Sequence, residues 1–192
     1  MTTQQGLKEA MHDYLRAARK TVMTKIDGLG EYDRRRPLTP SGTNLLGLVK
    51  HLAGLEFGYL GTTFGRPPEQ LLPWIENKAI WDGADMFATP DESTDYLLGC
   101  YRDGCAHADA TIEALELASP GSVPWWEEGR RDTTLGVIMT RMISETSQHA
   151  GHADIVRELI DGTGSPDSAD QGDADWWREW HGRIQAAADA FR

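Results

Sequence analysis

One run of the chain spaces three ionisable side chains as a helix would space a buried stripe. Ile138, Met142, Glu145, His149, His152, Val156 and Leu159 follow one another at intervals of four and three, the pattern of residues that face partner helices. The ends of the stripe are apolar; its middle is a carboxylate and two imidazoles. Burying such groups unpartnered costs several kcal/mol, so something must compensate them. A divalent cation does so well, because neutral imidazoles and carboxylates are good ligands for zinc first, with nickel or iron(II) as alternatives. Glu145 and His149, four apart, stand about 5–6 Å from each other on neighbouring turns, close enough to share an ion. His152 follows on the same face. The plainer alternative for Glu145 is a salt bridge to Arg141, four residues earlier.

One helix rarely closes such a site, and a facing ligand is expected. His51 lies in a second stripe, Leu48, His51 and Leu55. Gly47, Gly54, Gly58 and Gly61 all fall within about 40° of it at 100° per residue. Each interior glycine costs about 1 kcal/mol against alanine, so four on one face point to excluded bulk. Close helix packing is the commoner reason, and space for a ligand is the other. A single histidine on an apolar face is usually a hydrogen-bonded core residue. The joint pattern carries the expectation of a metal held by His51, Glu145 and His149, with the part of His152 left open. His12, His107 and His181 lie outside the group and are expected to face solvent.

These stripes need helices to carry them. Four strong helical patterns run along the chain, with no convincing strand alternation. The first spans about 5–27, with Leu7, Met11, Tyr14, Ala18, Val22 and Ile26 on one face, and Gly28 and Gly30 stop it. The second begins after Pro40, with Ser41 or Thr43 as its cap, and runs to about Phe64. The segment 65–90, holding Pro67, Pro68, Pro73, Trp74, Trp81 and Gly83, reads as an irregular connection of the length often given to lids and pocket walls. The third helix covers about 91–117, and a Pro120-Gly121 break and the Trp125-Trp126 pair follow it. The fourth runs from Thr133 or Thr134 to Ile160 and ends at Gly162 and Gly164. A linker rich in Asp, Ser and Gly at 162–175 leads to a short helix at 174–191, expected to pack back through Trp176, Trp177 and Trp180. The economical architecture is all-α: a four-helix bundle at 5–162 with an extra short C-terminal helix, in one domain over 1–192.

The chain has 192 residues, enough to bury a core. Its formal net charge of −11 argues against a nucleic-acid partner, whose affinity comes largely from cationic contacts. The basic run Arg34-Arg35-Arg36 reads as a solvated loop, with contact to an anionic group on a small substrate or thiol left open. No stretch approaches the roughly 20 apolar residues of a membrane helix, and the polar start at 1–8 lacks the layout of a secretion signal. A cytoplasmic location is the expectation. Cys100 and Cys105, the only cysteines, stand about 7.5 Å apart along a helix axis. That is a poor geometry for a disulfide, and the spacing is not CxxC. Buried free thiols are expected.

The layout resembles the DinB-like, or YfiT-like, superfamily of metalloenzymes. In that superfamily one ligand histidine lies in the second helix, in a stretch like Leu48-Val49-Lys50-His51-Leu52. Two further ligands lie four apart in the fourth helix, usually both histidine. Here the pair is Glu145 and His149, similar to the His/Glu/His variant of mycothiol-dependent maleylpyruvate isomerase. The segments 36–47 and 149–154 resemble the actinobacterial branch of the superfamily. The likeness covers about 5–162. It implies a bundle with one metal ion on His51, Glu145 and His149, His152 being an added ligand or a group behind them.

The resemblance also implies a function: transfer or isomerisation using a low-molecular-weight thiol such as mycothiol, with a small molecule as the other partner. Three protein ligands leave a position open, the mark of catalytic rather than structural zinc, and a thiol held there is kept as thiolate. The Trp74/Trp81 loop and the glycine face are expected to shape the pocket. The same open position suits metal-dependent hydrolysis. Two other classes compete. One is a non-catalytic metal-binding or stress-related protein in which His152 closes a four-ligand site. The other is a metal-free helical homodimer whose polar stripe is met by protein partners. No Ser-His-Asp arrangement points to a different nucleophile, and no catalytic or thiol-binding residue is singled out.

Overall fold

The computed structural model describes residues 3–163 and 172–192. Along them run α1 (Thr3–Thr24), the short α2 (Glu31–Arg35), α3 (Leu45–Tyr59), the single turn α4 (Pro73–Glu76), α5 (Thr94–Ala114), α6 (Leu135–Asp161) and α7 (Ala174–Asp189). The four long helices α1, α3, α5 and α6 form the expected bundle: α3 packs on α5 and α6, and α1 packs on α6. No helix among the described residues is long and apolar enough to cross a membrane. Most of the expected linker at 162–175 lies outside the described residues.

Local chemistry sets the ends of these elements. The cap of α3 is Asn44, not Ser41 or Thr43: its side chain accepts from Gly47 N at 2.7 Å. Its amide also donates to Met86 O at 3.0 Å, tying the helix start to the end of the irregular segment. Ser93 caps α5 through Tyr96 N. Gly162 ends α6 in the left-handed conformation that glycine adopts without strain.

Two expectations about local structure are corrected. The basic run does not lie in a loop. Arg34 and Arg35 belong to α2 and pair with Glu31, Arg36 pairs with Asp33, and Arg35 also donates to Thr89 O and Glu92 O. A small antiparallel hairpin is present, β1 (Pro120–Ser122) against β2 (Asp132–Thr134). Each strand has only three residues, too few to show alternation in the sequence.

The core divides into two apolar halves. One holds Val22, Ile26, Leu48, Leu52, Leu97 and Val156; the other holds Leu15, Leu60, Ile112, Leu135, Ile138 and Met142. Between them, at mid-height, every long helix contributes polar groups: Arg19 from α1, Glu56 from α3, Asp109 from α5, and Glu145, Thr146 and His149 from α6. On one side of this layer the protein satisfies its own charges. Arg19 forks onto Glu56 at 2.6 and 2.7 Å and reaches Asp109 at 2.6 Å. His12, expected in solvent, is buried and meets Asp109 at 2.7 Å. His107 is also drawn in, against Arg66 O, while His181 is exposed as expected.

The C-terminal helix forms where expected but does not bury its rings. None of the residues of α7 is buried. Trp176 stacks on Trp180 with centroids 5.6 Å apart and meets Trp177 edge-on at 4.7 Å. Rings one and four residues apart on one helix thus find partners in each other, in place of the expected packing on the bundle.

Candidate metal centre

On the other side of the mid-bundle layer, His51 of α3 faces Glu145 and His149 of α6. One ligand atom from each lies within 4.8 Å of the others. Glu145 Oε1 is 3.6 Å from His51 Nε2 and 3.3 Å from His149 Nε2, and the two imidazoles meet edge-on with centroids 5.1 Å apart. The other nitrogen of His51, Nδ1, is 2.6 Å from Asp85 Oδ2, and Asp85 is buried. This carboxylate fixes the ring and the tautomer: Nδ1–H donates to Asp85, and Nε2 is left as an acceptor.

The donor set fits a divalent ion. His51 Nε2 and Glu145 Oε1 then face each other as two acceptors, which calls for a cation between them. Their separations are long for hydrogen bonds. The 3.3 Å separation matches the edge of roughly 3.3–3.5 Å of a tetrahedron whose centre lies about 2.0–2.1 Å from each donor, as zinc does, and the 3.6 Å separation is slightly longer. Burial works against charge on His51, but the hydrogen bond and charge of Asp85, helped by Glu145, outweigh it and raise its pKa above the ordinary imidazole value. Burial and the charge of His51 lower that of His149. The alternative for Glu145, a salt bridge to Arg141, does not form. Arg141 lies instead over the rings of Tyr59 and Trp126, at 4.8 and 5.6 Å.

A cavity of about 580 Å³ opens onto His51, Asp85 and Glu145. Leu55, Leu71, Ile75, Ile80, Trp81 and Trp125 supply much of its wall. The glycine face is explained here in part, while Gly61 serves close packing, since a Cβ there would run into the Phe57 and Arg66 carbonyls and His107 of α5. Gly54 and Gly58 line the cavity, and a Cβ on Gly58 would stand 3.1 Å from the Trp125 ring. A Cβ on Gly47 would run into the Met86 carbonyl. The close approach of α3 and α5 depends on Gly104, where a Cβ would stand 3.1 Å from that of Glu56. Of the two loop tryptophans, Trp81 lines the cavity, whereas Trp74 is buried beneath the Lys50 ammonium at 4.7 Å.

The sequence profile of the mycothiol S-transferase family matches residues 10–162. The chain belongs to that family. The mycothiol S-transferases are of the DinB/YfiT-like kind that the sequence resembles. A solved structure of a conserved protein from Enterococcus faecalis is similar over 85% of this chain and 99% of that one, with a TM-score of 0.62 at 13% identity. That likeness establishes a shared fold. No curated protein matches the chain.

In this member of the mycothiol S-transferase family, His152 lies beside the group rather than within it. It is exposed, and its Nδ1 is 3.4 Å from Nδ1 of His149, on the side of the ring away from Glu145. Sequence reasoning missed Asp85 altogether, because the segment 65–90 has no periodicity to place a side chain. The cysteines are free, as expected, with Cys100 buried and Cys105 half-buried. Burial pushes the Cys105 thiol up to about 12, with the charge of Glu56 adding to it, and burial raises Cys100 as well. Neither is a thiolate at neutral pH, so neither is prepared as a nucleophile.

Proposed function

We propose that the protein transfers a low-molecular-weight thiol of the mycothiol type to a small electrophile, with one divalent metal ion held by His51, Glu145 and His149. The convergence of those three donors, two of which line a largely apolar cavity, is the observation that carries the reading, and family membership supports it. When bound, the ion would supply Lewis acidity at an open position and keep a thiol sulfur as thiolate near neutral pH. Zinc suits this donor set; nickel or iron(II) would be accepted by the same groups.

The chain's own residues do the rest. Asp85 holds the His51 ring in one orientation and one tautomer. The cavity walls exclude water and hold the electrophile's carbon skeleton. No cysteine of the protein competes for the role of nucleophile. With three protein ligands and His152 beside them, the ion would keep the open position that a transferase needs.

The test is a conjugation assay with mycothiol and an aromatic chloride, followed by mass detection of the thioether. The metal-loaded protein is expected to accelerate thioether formation at least about a hundredfold over the uncatalysed reaction. Chelation or His149→Ala should remove that acceleration. A rate equal to that without protein, or one indifferent to chelation and to His149→Ala, contradicts the proposal.

A further inference from the structure

The cavity is apolar over most of its wall, yet one permanent cation stands in it. Arg141 is the single lysine or arginine among the described residues that line it. Its position on α6 is four residues, about 6 Å of helix rise, from Glu145. Among the described residues it makes no ion pair and no hydrogen bond. The buried guanidinium of Arg19 is by contrast fully engaged with carboxylates.

What holds Arg141 is an aromatic box. Its guanidinium lies over the faces of Tyr59 and Trp126. Tyr59 is buried, and its hydroxyl accepts from Trp125 Nε1 at 3.4 Å and Trp126 Nε1 at 3.3 Å, so the box is itself braced. Stacking uses the face of a guanidinium and leaves its in-plane N–H fork free, the arrangement that grips a carboxylate with two parallel bonds. Arg141 lines the cavity and is exposed to solvent, so an anion on a ligand entering the cavity can reach its free N–H fork.

We propose that Arg141 is the specificity-determining residue of this cavity and reads a carboxylate on an otherwise apolar, aromatic second substrate. The identity of the reaction rests on the thiol-transfer reading above; the binding claim stands on the cavity alone. For an aryl chloride the step balances as follows. The thiol sulfur forms a bond to the ring carbon, chloride leaves with the electron pair of the broken bond, and the thiol proton passes to solvent.

The probes are a chlorodinitrobenzoate and its neutral methyl ester, which share ring and leaving group. Equilibrium binding without thiol is measured on the wild type, Arg141→Met and Arg141→Lys, each metal-loaded and after chelation. A charge-assisted bidentate pair corresponds to at least about a tenfold preference for the carboxylate over the ester. That preference is expected in the wild type with or without metal, lost in Arg141→Met and partly kept in Arg141→Lys. In turnover, Arg141→Met should raise KM for the carboxylate by the same factor and leave the ester within about twofold.

A preference that survives Arg141→Met, or that vanishes from the wild type on chelation, overturns the proposal and assigns the carboxylate to the metal group. Equal weakening of both probes, or binding of neither, also overturns it and leaves Arg141 a packing residue. If the preference follows Arg141 but no thioether forms with mycothiol, the transfer reading fails and the assignment of Arg141 stands.

Discussion

Glu56 and Glu145 are both carboxylates among the bundle's polar groups and meet opposite surroundings. Glu56 is fully buried and takes both arms of Arg19, so its charge is answered within the protein. Glu145 pairs with no lysine or arginine among the described residues, and its partners are the ring nitrogens of His51 and His149. Buried charge without a counter-charge is costly, and a divalent ion is what this second arrangement fits. The three residues were legible in the sequence because a helical stripe that is apolar at its ends and ionisable in its middle is hard to fill otherwise. Asp85 was not legible, since only the folded course of 65–90 brings it to His51. Asp85→Asn keeps the shape and removes the charge that orients His51. It should lower metal affinity about tenfold to a hundredfold with the fold intact. Titration with a competing chelator measures this, and unchanged affinity would remove Asp85 from the account.

The long helices could be read to within a few residues because each carries a clear apolar period, yet the rotation of α6 could not. Its buried line runs through Met142, Thr146, Ala150, Ala153 and Val156, while Leu159 is 58% exposed. The stripe drawn through Glu145, His149 and His152 lies about one residue, or 100°, to the side of it. Small residues face the partner helices because they permit close approach, and a reading weighted toward large apolar side chains passes over them. That rotation puts Glu145 and His149 at the rim of the core, where Glu145 meets the cavity, and turns His152 toward solvent. The hairpin was hidden by its brevity, but it presents Trp125 to Gly58. The start of α3 is held by Asn44 and by the absence of a side chain at Gly47, against Met86. Gly47→Ala should therefore destabilise by about 1–3 kcal/mol and loosen the adjoining Asp85. Gly54→Ala, whose Cβ would stand 3.5 Å from Ile75, should be neutral or stabilising by up to about 1 kcal/mol. Denaturant unfolding compares the two, and equal effects would contradict this description of the glycine face.

Across the whole molecule, two apolar halves enclose one polar layer, self-satisfied at Arg19 and open to a cavity at Glu145. Composition foretold a folded protein and apolar periodicity a helical one, but not the outward α7, because whether its tryptophans pack on the bundle or on one another is a matter of tertiary fit. With none of its residues buried, and lying beyond the 10–162 that the family profile matches, α7 contributes little to the bundle. Ending the chain at Thr163 should leave stability within about 0.5 kcal/mol and metal content unchanged. A thermal melt of the truncated protein checks this; a large loss would mean that α7 docks after all. The central claim is that His51, Glu145 and His149 together hold one divalent ion. Its most direct measurement is elemental analysis of dialysed wild type, His51→Ala, His149→Ala and His152→Ala, each confirmed helical by circular dichroism. The account predicts about one ion per chain in the wild type and His152→Ala and less than about a tenth of that in the other two. Folded wild type without metal after reconstitution, or full occupancy in His149→Ala, would contradict it.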